Sequence, residues 1–174
     1  AALWVTFTLA PSVRIGELSI PWSTASADAR LVAQDALLLT VGDPVPTASI
    51  ARAPAAPVID GDLSDAVWQR EPLAASLTLL RGGKPATEQT AVWMTYDDAG
   101  VYVAFRCAES LMNKIQARHT ERGSPLYTDD DVEIFILPPT ARQAYQFAVN
   151  PLGTISDNFG NQAPWQAAAR QYDD

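Results

Sequence analysis

Apolar and polar positions alternate from the first residues. Leu3, Val5, Phe7 and Leu9 fall on one side of an extended chain, and Trp4, Thr6 and Thr8 on the other. That period of two belongs to a strand. "ELSIPW" (17–22) and "ALLLTV" (36–41) are further short strand candidates, with room for a short helix in the "STASADARLVAQ" between them. The stretch 42–57, "GDPVPTASIARAPAAP", holds four prolines and reads as a linker or an extended edge segment. The main boundary is placed here.

From residue 58 the pattern sharpens. "IDGDLSDAVWQ" opens with the turn signal Asp60-Gly61-Asp62 and continues as a helical turn with Ser64 or Asp65 near its N-cap. Trp68 would fold down from that turn as an apolar plug. Strands are predicted at "ASLTLL", "TEQTAVWMTYD", "VYVAFRCAE", "VEIFIL" and "AYQFAVN", separated by the turns "RGGKPA", "DDAG" and "PPTARQ". "PLGTISDNFGNQAP" reads as a loop with room for a short strand, and "WQAAARQY" as a strand or a helix. Turn signals recur every 8–12 residues or so, and no long amphipathic helix interrupts them, which argues for an all-β antiparallel sandwich. The expected fold is of the jelly-roll or immunoglobulin-like kind, with few short helical turns. No βαβ unit, G-x-G-x-x-G or P-loop occurs. The expected organisation is a β-rich segment at 1–45, a Pro/Ala-rich linker at 46–57 and a sandwich at 58–174.

Composition narrows the partners. The 174 residues suit one compact domain, or one domain with an appendage. Apolar residues make up 48% and charged ones 18%, so material for a core is ample. The net charge of −8 would repel a phosphate backbone or an anionic membrane surface, whereas neutral ligands or cations suit it. The single cysteine, Cys107, shares a strand face with Val101, Val103 and Phe105, so it reads as core and rules out an internal disulfide. No signal peptide is visible, and nothing approaches the ~20 apolar residues of a membrane-spanning helix. The chain opens without Met and stops within "QYDD", as a processed product or a piece of a longer protein would.

The candidate chemistry lies in "TDDDVEIFILPP", residues 128–139. In a strand here Glu133, Phe135 and Leu137 point one way and Val132, Ile134 and Ile136 the other. A carboxylate among apolar neighbours is costly unless something satisfies it. An arginine, solvent at a strand end, or a ligand groove would each do so. If "AYQFAVN" pairs with this strand, Gln146, Ala148 and Asn150 form a polar face of low relief beside Glu133. An acid and two amides make a hydrogen-bonding set for vicinal hydroxyls. Tyr127, and after it Trp165, are the aromatics that could offer a flat face to a sugar ring.

Other readings compete. Asp129 and Asp130 are candidate calcium ligands, against a turn or strand cap. Glu133 with Asp129 or Asp130 is the carboxylate pair to test for glycoside hydrolysis. His119, the only histidine, could serve a haem with Met94 or Met112, although a solvated loop is its default and Met94 sits in a strand as core.

Residues 58–174 resemble the family 9 carbohydrate-binding modules, on the stretches "VIDGDLSDAVW", "AVWMTYDDAGVYVAFRCAE", "YTDDDVEIFILPP" and "YQFAVNPLGTISD", in matching order and spacing. The resemblance implies a non-catalytic β-sandwich that holds the end of a glucan or xylan chain between two aromatic rings. Tyr127 falls where the family carries its first clamp aromatic, usually tryptophan, Glu133 on the ligand-binding glutamate and Asn150 on the sugar-contacting asparagine. It also implies a secreted, periplasmic or cell-surface setting, beside the neighbouring domains of a larger enzyme. Similar modules occur as bare connectors, which leaves a structural linker without ligand as the rival. The family's later strands, with the second clamp aromatic, have no counterpart downstream. "GELSIPWSTAS" (16–26) reads like one of them, so 1–45 is either the tail of a preceding β-domain, the expectation taken here, or a set of strands that completes the module.

Overall fold

The computed structural model describes residues 2–9, 47–80, 83–161 and 164–172; of β1 only the backbone is described. Among the described residues seven strands appear: β1 (Ala2–Leu9), β2 (Thr90–Tyr96), β3 (Val101–Ala108), β4 (Val132–Ile136), β5 (Tyr145–Val149), β6 (Ile155–Asp157) and β7 (Gln166–Tyr172). They form a four-stranded sheet in the order β2-β3-β1-β7 and a three-stranded sheet in the order β4-β5-β6. All named pairings are antiparallel. Three short 3-10 turns, Ala66–Trp68, Met112–Lys114 and Leu126–Thr128, are the helical content of the described residues. The molecule is an all-β sandwich, as the alternating pattern and turn spacing predict. Among the described residues no helix is long and apolar enough to cross a membrane.

The main core lies between the sheets. Val101, Val103 and Phe105 of β3 meet Ile134, Ile136, Phe147, Val149 and Trp165. Cys107 and Met94 pack against this cluster, as their strand faces predict. The other face of β3 is buried as well. Tyr102 and Ala104 meet Leu63, Val67, Trp68 and Ala53 in a second cluster. The "DGDLSDAVW" segment therefore caps the back of the four-stranded sheet, and Trp68, 3% exposed, is the plug. Asp65 is the N-cap residue of that turn, and its carboxylate accepts from the Val58 N–H (3.0 Å). Gly61 has φ +78°, and a Cβ there would lie 3.0 Å from the Ala169 carbonyl carbon, so this turn approaches β7 closely only as glycine.

Several sequence expectations meet tertiary context. "ASLTLL" forms no continuous strand. It makes one isolated bridge, Thr78 to Pro85, with Ala74 just before it bridging Val92, and Leu79 and Leu80 stay exposed, so no apolar layer holds it flat. β7 is a strand despite three successive alanines, because β1 supplies a ladder from Ala2↔Tyr172 to Thr8↔Gln166. Within the Pro/Ala-rich stretch the chain runs alongside β2: Arg52 bridges Tyr96, the Ala53 N–H donates to the Tyr96 carbonyl (2.8 Å), and Ala53 is buried. β1 lies between β3 and β7 within the four-stranded sheet. The expected strands at 17–22 and 36–41, and the helix between them, lie outside the described residues.

Candidate functional site

β4 and β5 pair with Glu133 opposite Ala148 and Phe135 opposite Gln146. Cross-strand partners share a face. Ile134, Ile136, Phe147 and Val149 therefore enter the core, and Glu133, Phe135, Gln146 and Ala148 face outward. β6 adds Ser156 beside Ala148. The outer face thus carries an acid, a methyl and a hydroxyl in a row, with an amide diagonal to the acid. Because Ala148 is small, a hollow forms above it. It is an open pocket of about 340 Å³, walled by residues 123–127, Asn158 and Asn161.

Glu133 is exposed and accepts from Gln146 Nε2 at 2.5 Å. No cation pairs with it among the described residues. Tyr127 stands in the 3-10 turn Leu126–Thr128, where buried Leu126 anchors the turn and leaves Tyr127 78% exposed. The structure thus brings Tyr127, Glu133 and Gln146 to one pocket.

Asn150 and Trp165 are not brought to it. Asn150 is fully buried. Its amide donates to the His119 carbonyl (2.8 Å) and to Asp129 Oδ2 (3.0 Å), and its oxygen accepts from the N–H groups of Leu152 (3.1 Å) and Thr154 (2.9 Å). Two donors and two acceptors are all an asparagine side chain offers, so none is left for a ligand. Trp165 is 3% exposed, edge-on to Phe147 in the core, with its Nε1–H donated to Asp157 (3.1 Å). Its ring face is a packing surface.

The aspartate run braces a loop. Asp129 Oδ2 accepts from the N–H groups of Arg118 and His119 (3.0 Å each) as well as from Asn150. Burial opposes its ionisation, but these hydrogen bonds outweigh burial and hold the carboxyl below its ordinary range. Asp130 Oδ2 accepts from the Gln116 N–H at 2.7 Å. Both carboxylates are thus engaged by backbone N–H groups of residues 116–119, and no group of three or more metal-ligating side chains forms among the described residues. Asp131 shifts the other way. One of its oxygens is buried without a hydrogen-bond partner, as is Asp129 Oδ1, and burial together with Glu133, Asp129 and Asp130 pushes the Asp131 pKa up to about 6. His119 faces Thr128 through Nε2 (2.9 Å) and Met94 packs on the core; neither lines the pocket.

The carbohydrate family 9 binding domain-like family matches residues 59–167. The chain belongs to that family. Comparison with curated proteins and with solved structures gives no match. Membership makes this a carbohydrate-binding type of domain, and the family is a non-catalytic one.

Ser156, Asn158, Asn161 and the 123–125 loop escaped the sequence reading. Asn158 accepts from the Gln146 N–H (3.0 Å) and donates to the Ala144 carbonyl (2.9 Å), tying its loop to β5. Asn161, at φ 54°, accepts from the Asp157 N–H at 2.7 Å. The dense polar turn "SDNFGN" was the available signal, but its distance in sequence from Glu133 hid it.

Proposed function

We propose that this family 9 domain binds the end of a plant-type polysaccharide or oligosaccharide, as a non-catalytic appendage of a larger secreted enzyme. The terminal ring stacks on Tyr127, and its hydroxyls bond to Glu133 and Gln146. The carrying observation is an exposed aromatic ring beside an exposed carboxylate–amide pair in one open pocket. Glu133 has accepting capacity beyond its bond to Gln146, and hydroxyl donors meet that need. In a ligand-free linker a salt bridge would fill this groove; Glu133 has an amide there instead. Asn150 contributes at one remove, because it ties the loop that carries Tyr127 to the end of β5. We read β1 and 51–172 as one unit, with the first strand completing the module's sheet.

Calorimetry with xylo- and cello-oligosaccharides tests this reading. Wild type gives a binding heat, and Glu133→Ala loses about tenfold or more in affinity, about 1.4 kcal/mol. Equal heats for both proteins would retire the site, and so would no heat from either.

A further inference from the structure

We propose a second sugar subsite on Phe135, occupied by the residue next to the chain end, which makes the domain sensitive to oligosaccharide length. The inference rests on the sugar-binding reading above and extends it along β4.

Phe135 is 55% exposed on the same outward face as Glu133. The two are alternate residues of one strand, so their Cα atoms lie about 6.6 Å apart, somewhat more than the advance of one ring along a β-1,4 chain and within reach of the neighbouring ring. Gln146 stands directly across from Phe135 and hydrogen bonds to Glu133, so the amide spans both positions. Ala148, across from Glu133, adds no bulk that would lift a chain off the sheet. β4 is an edge strand of its sheet. A saccharide leaving the pocket along β4 therefore meets a flat apolar ring, one step beyond the carboxylate, with an amide beside it. A single exposed apolar side chain needs no explanation on its own. Its place is what counts: same face, same strand and one step from the pocket. Sugar residues, with an apolar face and polar edges, are the ligand class that such a surface takes.

The test is calorimetry of the full chain with mono-, di-, tri- and tetrasaccharides of one β-1,4 series, comparing wild type, Phe135→Ala and Phe135→Trp. Wild-type affinity should rise about tenfold from the shortest binding ligand to the longest. Phe135→Ala should abolish that rise and leave the shortest ligand's affinity unchanged. Phe135→Trp should keep or steepen it. Unchanged melting of both variants would confirm that the fold is intact. The proposal is overturned if Phe135→Ala retains the length dependence, or weakens every ligand equally. If no saccharide binds wild type at all, the sugar-binding reading fails first and the subsite with it; binding of constant affinity at all lengths sinks the subsite alone.

Discussion

Glu133 and Asp157 stand on opposite faces of the same three-stranded sheet. Asp157, on β6, pairs in register with Phe147 and joins the core side. Its side chain is fully buried and accepts from Trp165 Nε1 (3.1 Å), Arg122 (3.3 Å) and the N–H groups of Phe159 (3.1 Å) and Asn161 (2.7 Å). Burial opposes its charge, but those donors, Trp165 foremost, hold its pKa below the ordinary value. Glu133, two strands away, is exposed and has one amide partner. A carboxylate with its lone pairs taken holds a structure together; one with spare lone pairs is available to a ligand. Charge and functional group are alike, and surroundings assign the role.

The largest break in that contrast is Asp157→Ala. It removes the acceptor of the Trp165 Nε1–H, an acceptor of Arg122 and the acceptor of two backbone N–H groups, and should cost about 3 kcal/mol in urea unfolding, while Glu133→Ala stays within about 0.5 kcal/mol. Similar costs for both would dissolve the distinction. Next comes Gly123→Ala. Gly123 has φ +83°, and a Cβ would lie 2.9 Å from Asn161 Nδ2. The backbone strain alone costs about 1–2 kcal/mol, and the displaced Asn161 should also weaken saccharide binding, read by thermal melting and calorimetry together. A mutant as stable as wild type would show that this wall is soft.

A smaller effect should come from Asp131→Asn. Unfolded, the carboxyl ionises near 3.8, and folded at about 6. The folded state therefore holds the extra proton between those values, and stability falls as pH rises through that window. The variant should gain on the order of 1 kcal/mol at neutral pH, after allowance for solvent screening, and no advantage below about pH 4. Unfolding curves at both pH values check it. Asp129 and Asp157 titrate in the opposite sense. Their depressed values support the fold at neutral pH, and that support is lost only as acid protonates them. The smallest effect belongs to Glu133→Gln, which should leave the melting temperature within about two degrees yet lower the affinity for a saccharide end. An altered melt would mean that Glu133 belongs to the scaffold.

Much of this was legible in residue order. The alternation of Val101, Val103 and Phe105, the outward side of Glu133 and the plug at Trp68 all follow from a period of two and from apolar bulk. The outward-facing pair Glu133 and Gln146 was legible too, because a two-residue period places both on one side once their strands pair. "ASLTLL" misled because its composition suits a strand, while a strand also needs a layer to cover it.

Sequence by itself determined the class of fold, the two faces of each strand and a polar stretch flanked by an aromatic residue, since these depend on neighbours one or two residues apart. Tertiary structure alone decided which polar groups remain free. Asn150 shares the parity of Gln146, yet it is spent on His119, Asp129, Leu152 and Thr154, while Ser156, Asn158 and Asn161 arrive at the pocket from a later turn. Hydrogen-bonding capacity is finite, and how it is shared depends on contacts between segments distant in the chain, which a local pattern does not encode.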